Sequence, residues 1–154
     1  MAATSAECLK SDVRELGFTS RQLRTFQHAR AAADLSDFRV KVGAVAVLGK
    51  RVLSVGWSST KSHPLQARMD SAREFRDNTV PSHALHAEIN CLAPLINDKT
   101  IDWSRVELYV YRLCKDRPHG MARPCPACMA LLKECSIRHL YYTTDDGYAY
   151  ERLA

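Results

Sequence analysis

The chain has 154 residues, 46% hydrophobic and 25% charged, and a formal net charge of +5, a composition that suits one domain burying its own core without disulfide or metal staples. No run of about 18 apolar residues occurs, which argues against a membrane-spanning helix. The N-terminal "MAATSAECLKSDVREL" lacks the apolar stretch of a signal peptide, so the expected location is the cytoplasm.

There is no internal repeat, low-complexity tract or Pro/Gly/Ser linker, and a single domain over residues 1–154 is expected, with 1–18 loosely ordered. From Thr19 the pattern becomes helical. Thr19 and Gln22 have capping-box spacing, and Leu23, Phe26, Ala29 and Ala33 recur at helical intervals to about Asp34. "VGAVAVLGKRVLSVGW", Val42 to Trp57, predicts two apolar strands folded around Gly49-Lys50. A long polar stretch follows, with a helical turn or two after Pro64; loops of that length in a compact domain are usually lids or binding loops.

A second helix is predicted to begin near Ser82 to Leu85 and to end around Pro94 to Asp98. "RVELYVYR", Arg105 to Arg112, predicts the third strand, residues 125 to 135 a third helix, and "IRHLYYTT" a fourth strand. Asp145-Asp146-Gly147 is a turn signal too short for a helical crossover, so a fifth strand should return antiparallel to the fourth. Strands separated by helices argue for an α/β sandwich with a mixed sheet.

Two fragments carry chemistry: "HAE" at 86 to 88 and "PCPAC" at 124 to 128. Each stands at the start of a predicted helix after a loop. Parallel crossovers would bring both helix starts to one edge of the sheet, where His86, Cys125 and Cys128 can converge. Two thiolates and an imidazole are ligands that Zn2+ prefers, and three protein ligands leave a fourth tetrahedral position open, as catalysis requires. Helix N-termini also favour thiolate charge. Glu88, on another side of the turn, is placed to move protons rather than to bind the metal. Two plainer readings stay open. His83 and His86, three apart, could complete a structural Cys2His2 site, and Glu88 could be a first-turn acid favoured by the helix dipole.

These fragments resemble the H-x-E…P-C-x-x-C signature of the zinc-dependent nucleobase deaminases, the cytidine and deoxycytidylate deaminase superfamily. The resemblance spans roughly Leu23 to Thr144. It implies a three-layer α/β/α cytidine-deaminase-like fold with a five-stranded mixed sheet. It implies zinc as cofactor, His86, Cys125 and Cys128 as its ligands, and Glu88 as the proton shuttle. By the same likeness the backbone N–H of Ala87 would bind the carbonyl of the base, and Pro124 would shape the ligand loop. Many members place an asparagine after the second strand to hold the sugar; here Trp57-Ser58-Ser59-Thr60 stands there, making Ser58 the substrate contact to examine. The segment from Leu113 to Arg123 is longer than the connection typical of the deoxycytidylate and tRNA-adenosine branches, and the antiparallel last strands resemble the cytidine branch. The reaction implied is removal of ammonia from cytosine in a free nucleoside or nucleotide, by an enzyme that is a homo-oligomer. Alternatives are a deaminase of single-stranded DNA or tRNA and a zinc-stabilised interaction module without activity.

Residues 1–77 hold 13 Lys/Arg against 8 Asp/Glu, while residues 78–154 hold 9 of each. Such a basic half suits either a phosphorylated ligand or a merely solvated surface. Lys61, Arg68, Arg73 and Arg76 of the long loop are candidates for phosphate contact. His28, His63, His119 and His139 read as surface or packing residues, with His63 a further candidate for substrate contact. Cys91 reads as a buried apolar residue of helix two, and Cys8, Cys114 and Cys135 have no evident partner. The tyrosines at 109, 111, 141, 142, 148 and 150 alternate along strands, which points to sheet packing or a subunit contact rather than base stacking.

Overall fold

The computed structural model describes residues 17–71 and 84–153. The readings made for residues 1–16, Arg73, Arg76 and His83 lie outside them. The Phe18 ring packs edge-on against Phe26, with centroids 5.6 Å apart.

Helix α1 (Ser20–Asp34) starts at the capping box read from the sequence. The Gln22 N–H donates to Thr19 Oγ1 at 3.1 Å, and the Thr19 N–H donates to Gln22 Oε1 at 2.9 Å. Strands β1 (Lys41–Leu48) and β2 (Arg51–Trp57) form the first hairpin, turning at Gly49, whose φ of +62° suits glycine. Helix α2 (Pro64–Ser71) gives the polar stretch two turns of order. Helix α3 (Ala87–Leu92) starts later than predicted. Leu85 is held extended by a two-way bridge to Ser59, which delays the helix. It also ends earlier, passing through turns to Asn97, because Pro94 has no N–H to continue it. Strand β3 (Val106–Leu113), helix α4 (Pro126–Glu134), strand β4 (His139–Thr143) and strand β5 (Tyr148–Arg152) complete the order.

The five strands make one sheet in the order β2-β1-β3-β4-β5. β1 is antiparallel to β2 and β3, β3 is parallel to β4, and β5 returns antiparallel to β4 as expected. The last turn is closed by Thr144, whose Oγ1 accepts the N–H groups of Asp146 and Gly147 at 3.2 and 3.0 Å. Gly147 does not adopt a positive φ, so threonine chemistry rather than the Asp-Gly signal makes that turn.

Strand alternation separates two buried faces. Val45, Val47, Tyr109, Tyr111 and Tyr141 pack with Phe26 and Ala29 of α1. Ala44, Ala46, Leu108 and Val110 pack with Ile89 and Leu92 of α3 and with Ala127 and Leu131 of α4. The result is three layers. Gly43 admits α1 and Gly56 admits α3 on opposite faces: a Cβ on either would run into helix backbone. The tyrosines lie mainly on the α1 face, where Tyr109 and Tyr141 stack at 4.4 Å. This is packing, as their alternation suggested.

Because β1 runs against both β2 and β3, those two strands share a direction and end on one edge of the sheet. The chain leaves β2 toward α3 and leaves β3 toward α4. That topology brings the starts of α3 and α4 together.

Candidate active site

His86 is the N-cap of α3 and Cys125 the N-cap of α4, both extended at ψ 151° and 168°. Neither side chain is spent on capping its helix. Pro126 takes the first turn of α4, where a missing N–H costs nothing. The His86 ring and the Cys125 thiol therefore face each other, and Cys128, one turn into α4, completes the group. His86 Nδ1 lies 3.2 Å from Cys128 Sγ and 3.4 Å from Cys125 Sγ. All three donor atoms fall within 4.8 Å of one another. A tetrahedral zinc with Zn–S of about 2.3 Å and Zn–N of about 2.0–2.1 Å sets its ligands roughly 3.5–3.8 Å apart. The two His86–sulfur distances lie within a few tenths of an ångström of that spacing, and the donors are the soft nitrogen and sulfur set that zinc takes.

Hydrogen bonds shape the charge of the group. Cys125 is held far below the usual thiol range, chiefly by its hydrogen bond with Cys128 and further by His86. Cys128 is pushed well up by that same bond and by burial. The hydrogen bond to Cys125 likewise raises His86. Glu88 stands inside the first turn of α3, 5% exposed and in hydrogen-bond contact with Cys128. Burial pushes its carboxyl up, which favours a group that can hold a proton and release it. Glu88 lies outside the trio of possible ligands.

The supporting shell contains a residue that sequence reading missed. Gln66, fully buried on α2, accepts the His86 N–H on Oε1 at 2.9 Å and donates from Nε2 to Asp70 at 3.0 Å. Asn90 Nδ2 donates to the Trp57 carbonyl at 3.0 Å, tying α3 to the end of β2. A polar position in a long loop gave no signal for Gln66, whose partner is the backbone of a residue twenty positions away.

A cavity of about 300 Å³ opens over His86 and Glu88. Ala87 and Ser58 are on its wall; Pro124 is buried beside Cys125 and not on the wall. The Ser58 hydroxyl is already engaged: it donates to the Val40 carbonyl at 2.8 Å, accepts the Val42 N–H at 3.0 Å and meets Ser36 Oγ at 2.7 Å. It ties the loop before β1 to the loop after β2. Phe38, Met121 and three arginines, Arg39, Arg112 and Arg123, also line the cavity. None of those arginines was singled out from sequence. Arg112 had a readable signal, a cation in phase with the buried Leu108 and Val110.

The two singled-out cations among the described residues lie elsewhere. Arg68 pairs with Glu134 at 3.1 Å, and Lys61 is exposed outside the cavity wall. His63 accepts the Leu65 N–H at 3.0 Å, capping the start of α2. Cys91 is the buried apolar residue expected, its thiol pushed up to about 12 by burial.

Residues 19–144 match the family profile of the cytidine and deoxycytidylate deaminase zinc-binding region. The match takes in both motif-bearing helices and most of the sheet; this chain belongs to that family. Among solved structures it is similar to the dCMP deaminase of cyanophage S-TIM5, at 24% identity and TM-score 0.50 over 79% of this chain and 81% of that one, in its apo form. The complex of that enzyme with dCMP and dUMP gives 22% identity and TM-score 0.55 over 82% and 84%. The cytidine deaminase of Burkholderia pseudomallei gives 17% identity and TM-score 0.57 over 88% and 93%. These likenesses are of fold. No curated protein sequence matches the chain.

Proposed function

We propose that the chain is a zinc-dependent hydrolase that deaminates cytosine in a free nucleoside or nucleotide. The observation that carries this reading is the meeting of His86, Cys125 and Cys128 beside the buried Glu88, with His86 and Glu88 on the wall of a cavity. His86, Cys125 and Cys128 would hold the zinc. Bound there, zinc supplies Lewis acidity, which brings the pKa of a water toward about 7.

The protein residues do the rest. Glu88 takes a proton from the attacking water and gives it to N3 of the base as the water oxygen joins C4. It then carries the second proton to the exocyclic nitrogen, so that the C4–N bond breaks and ammonia leaves. Water and cytosine thus yield uracil and ammonia, with Glu88 returned to its starting state. The Ala87 N–H sits in the first turn of α3, where no intrahelical acceptor exists, and is free to bind the carbonyl of the base. Ser58 shapes the wall near the sugar, and Pro124 sets the approach to Cys125. Ammonia release from cytidine, deoxycytidine and their monophosphates tests the reading. Release from none of them, by protein carrying one zinc per chain, would overturn it.

A further inference from the structure

Of the three described arginines on the cavity wall, Arg123 is neutralised by a two-pronged pair with Glu151, at 2.8 and 2.9 Å. Arg39 and Arg112 have no acidic partner among the described residues. Arg112 is half-buried on the central strand and fixed on both sides. Its N–H donates to Thr143 Oγ1 at 3.1 Å and its carbonyl accepts the Gly120 N–H at 3.0 Å. Gly120 leaves the room this needs, since a Cβ there would press on Cys114 Sγ at 2.8 Å and on Arg112 Cδ at 3.3 Å. A guanidinium withdrawn from water without a partner is costly, and an anion relieves it. Cytosine and its sugar carry no anionic group.

Arg39 and Arg112 also form the seam with a second cavity of about 560 Å³ at the open end of the β1–β3 pair. Among the described residues, Lys41, Lys115 and Arg117 line it against one acid, Asp116. Arg117 is engaged by Asp116 at 3.3 Å and Asp145 at 3.4 Å. Lys41 and Lys115 have no acidic partner among the described residues. Among the described residues, no aromatic side chain lines this second cavity. A strand of nucleic acid needs platforms for its neighbouring bases as well as cations. Cations without platforms suit a chain of phosphates.

We propose that this second cavity seats the phosphate chain of a nucleoside 5′-triphosphate, with Arg39 and Arg112 on the phosphate nearest the sugar and Lys41 and Lys115 on those beyond. The proposal rests on the deaminase reading for the base alone. Its test is equilibrium binding of deoxycytidine, dCMP, dCTP and single-stranded oligodeoxycytidylate to the zinc-loaded Glu88→Gln protein, which separates binding from turnover. Two charge-assisted contacts predict dCTP binding tighter than deoxycytidine by about 100-fold or more. Adding Arg112→Gln should shrink that ratio about tenfold, Arg112→Lys should restore part of it, and Lys115→Gln should weaken dCTP more than dCMP. Thermal unfolding of each variant shows that it is folded. Equal affinity for nucleoside and triphosphate, or an oligonucleotide bound more tightly than dCTP, would overturn the proposal. Should no cytosine compound be deaminated, inorganic tripolyphosphate decides separately. Binding that Arg112→Gln weakens upholds the phosphate seat, and absence of binding rejects it.

Discussion

His86 and Glu88 are two positions apart, and the proposed reaction would give them different tasks because a helix begins between them. His86 is extended and outside α3, with its ring turned toward the cysteines; Glu88 is inside the first turn and buried. Glu88→Gln keeps the shape and removes the proton carrier, so kcat should fall by about 10²–10⁴-fold while the zinc content, measured by atomic absorption, stays at one per chain. Gln66→Leu leaves the His86 N–H without its acceptor. The expected loss of about 1–2 kcal/mol is to be read from urea unfolding of the zinc-free protein, with Gln66→Glu, which keeps an acceptor, losing less of the zinc affinity. The motif residues were legible in the sequence because zinc and proton transfer demand particular side chains. Gln66, Arg39 and Arg112 were not, since a glutamine or arginine has many uses and only its neighbours choose among them.

At the scale of elements, two glycines decide how closely helices may approach the sheet. Gly43→Ala should cost about 1–3 kcal/mol or more, since α1 must shift away from β1. Thermal unfolding checks it, with Gly49→Ala at the exposed turn as a comparison that acts through φ alone. The Arg123–Glu151 pair joins the loop before α4 to β5 and holds the Glu151 carboxyl below its usual range. A carboxylate with a lowered folded pKa adds stability above its unfolded pKa and loses it as pH falls through the folded one. The pair is partly exposed, so the effect is under about 1 kcal/mol; Glu151→Gln should flatten the acid limb of a stability-against-pH curve. Element types and order were readable from apolar periodicity. The late start of α3 was not, because a bridge to Ser59 across the loop sets it.

For the molecule as a whole, zinc is tied to the folded state, since only folding gathers His86, Cys125 and Cys128 from two helices. At a free zinc concentration one hundred times the dissociation constant, linkage adds about 2.7 kcal/mol. For a chain of this size that is a rise in Tm of roughly 5–10 °C, measurable by calorimetry against the chelated protein. Cys125→Ala should abolish most of the rise. Topology carries this coupling: β2 and β3 end on the same edge, and the segments that follow them bring the ligands together.

By itself the sequence determined which side chains could hold a metal, the capping box, both hairpins and the alternation of buried faces, because each depends on residues close along the chain. The tertiary structure alone decided the sheet order, the close seating of α1 and α3 at Gly43 and Gly56, the buried support of His86 by Gln66, and the two arginines at the seam of the cavities. Each of these is a meeting of groups far apart along the chain, and local preference holds no information about which distant group will arrive.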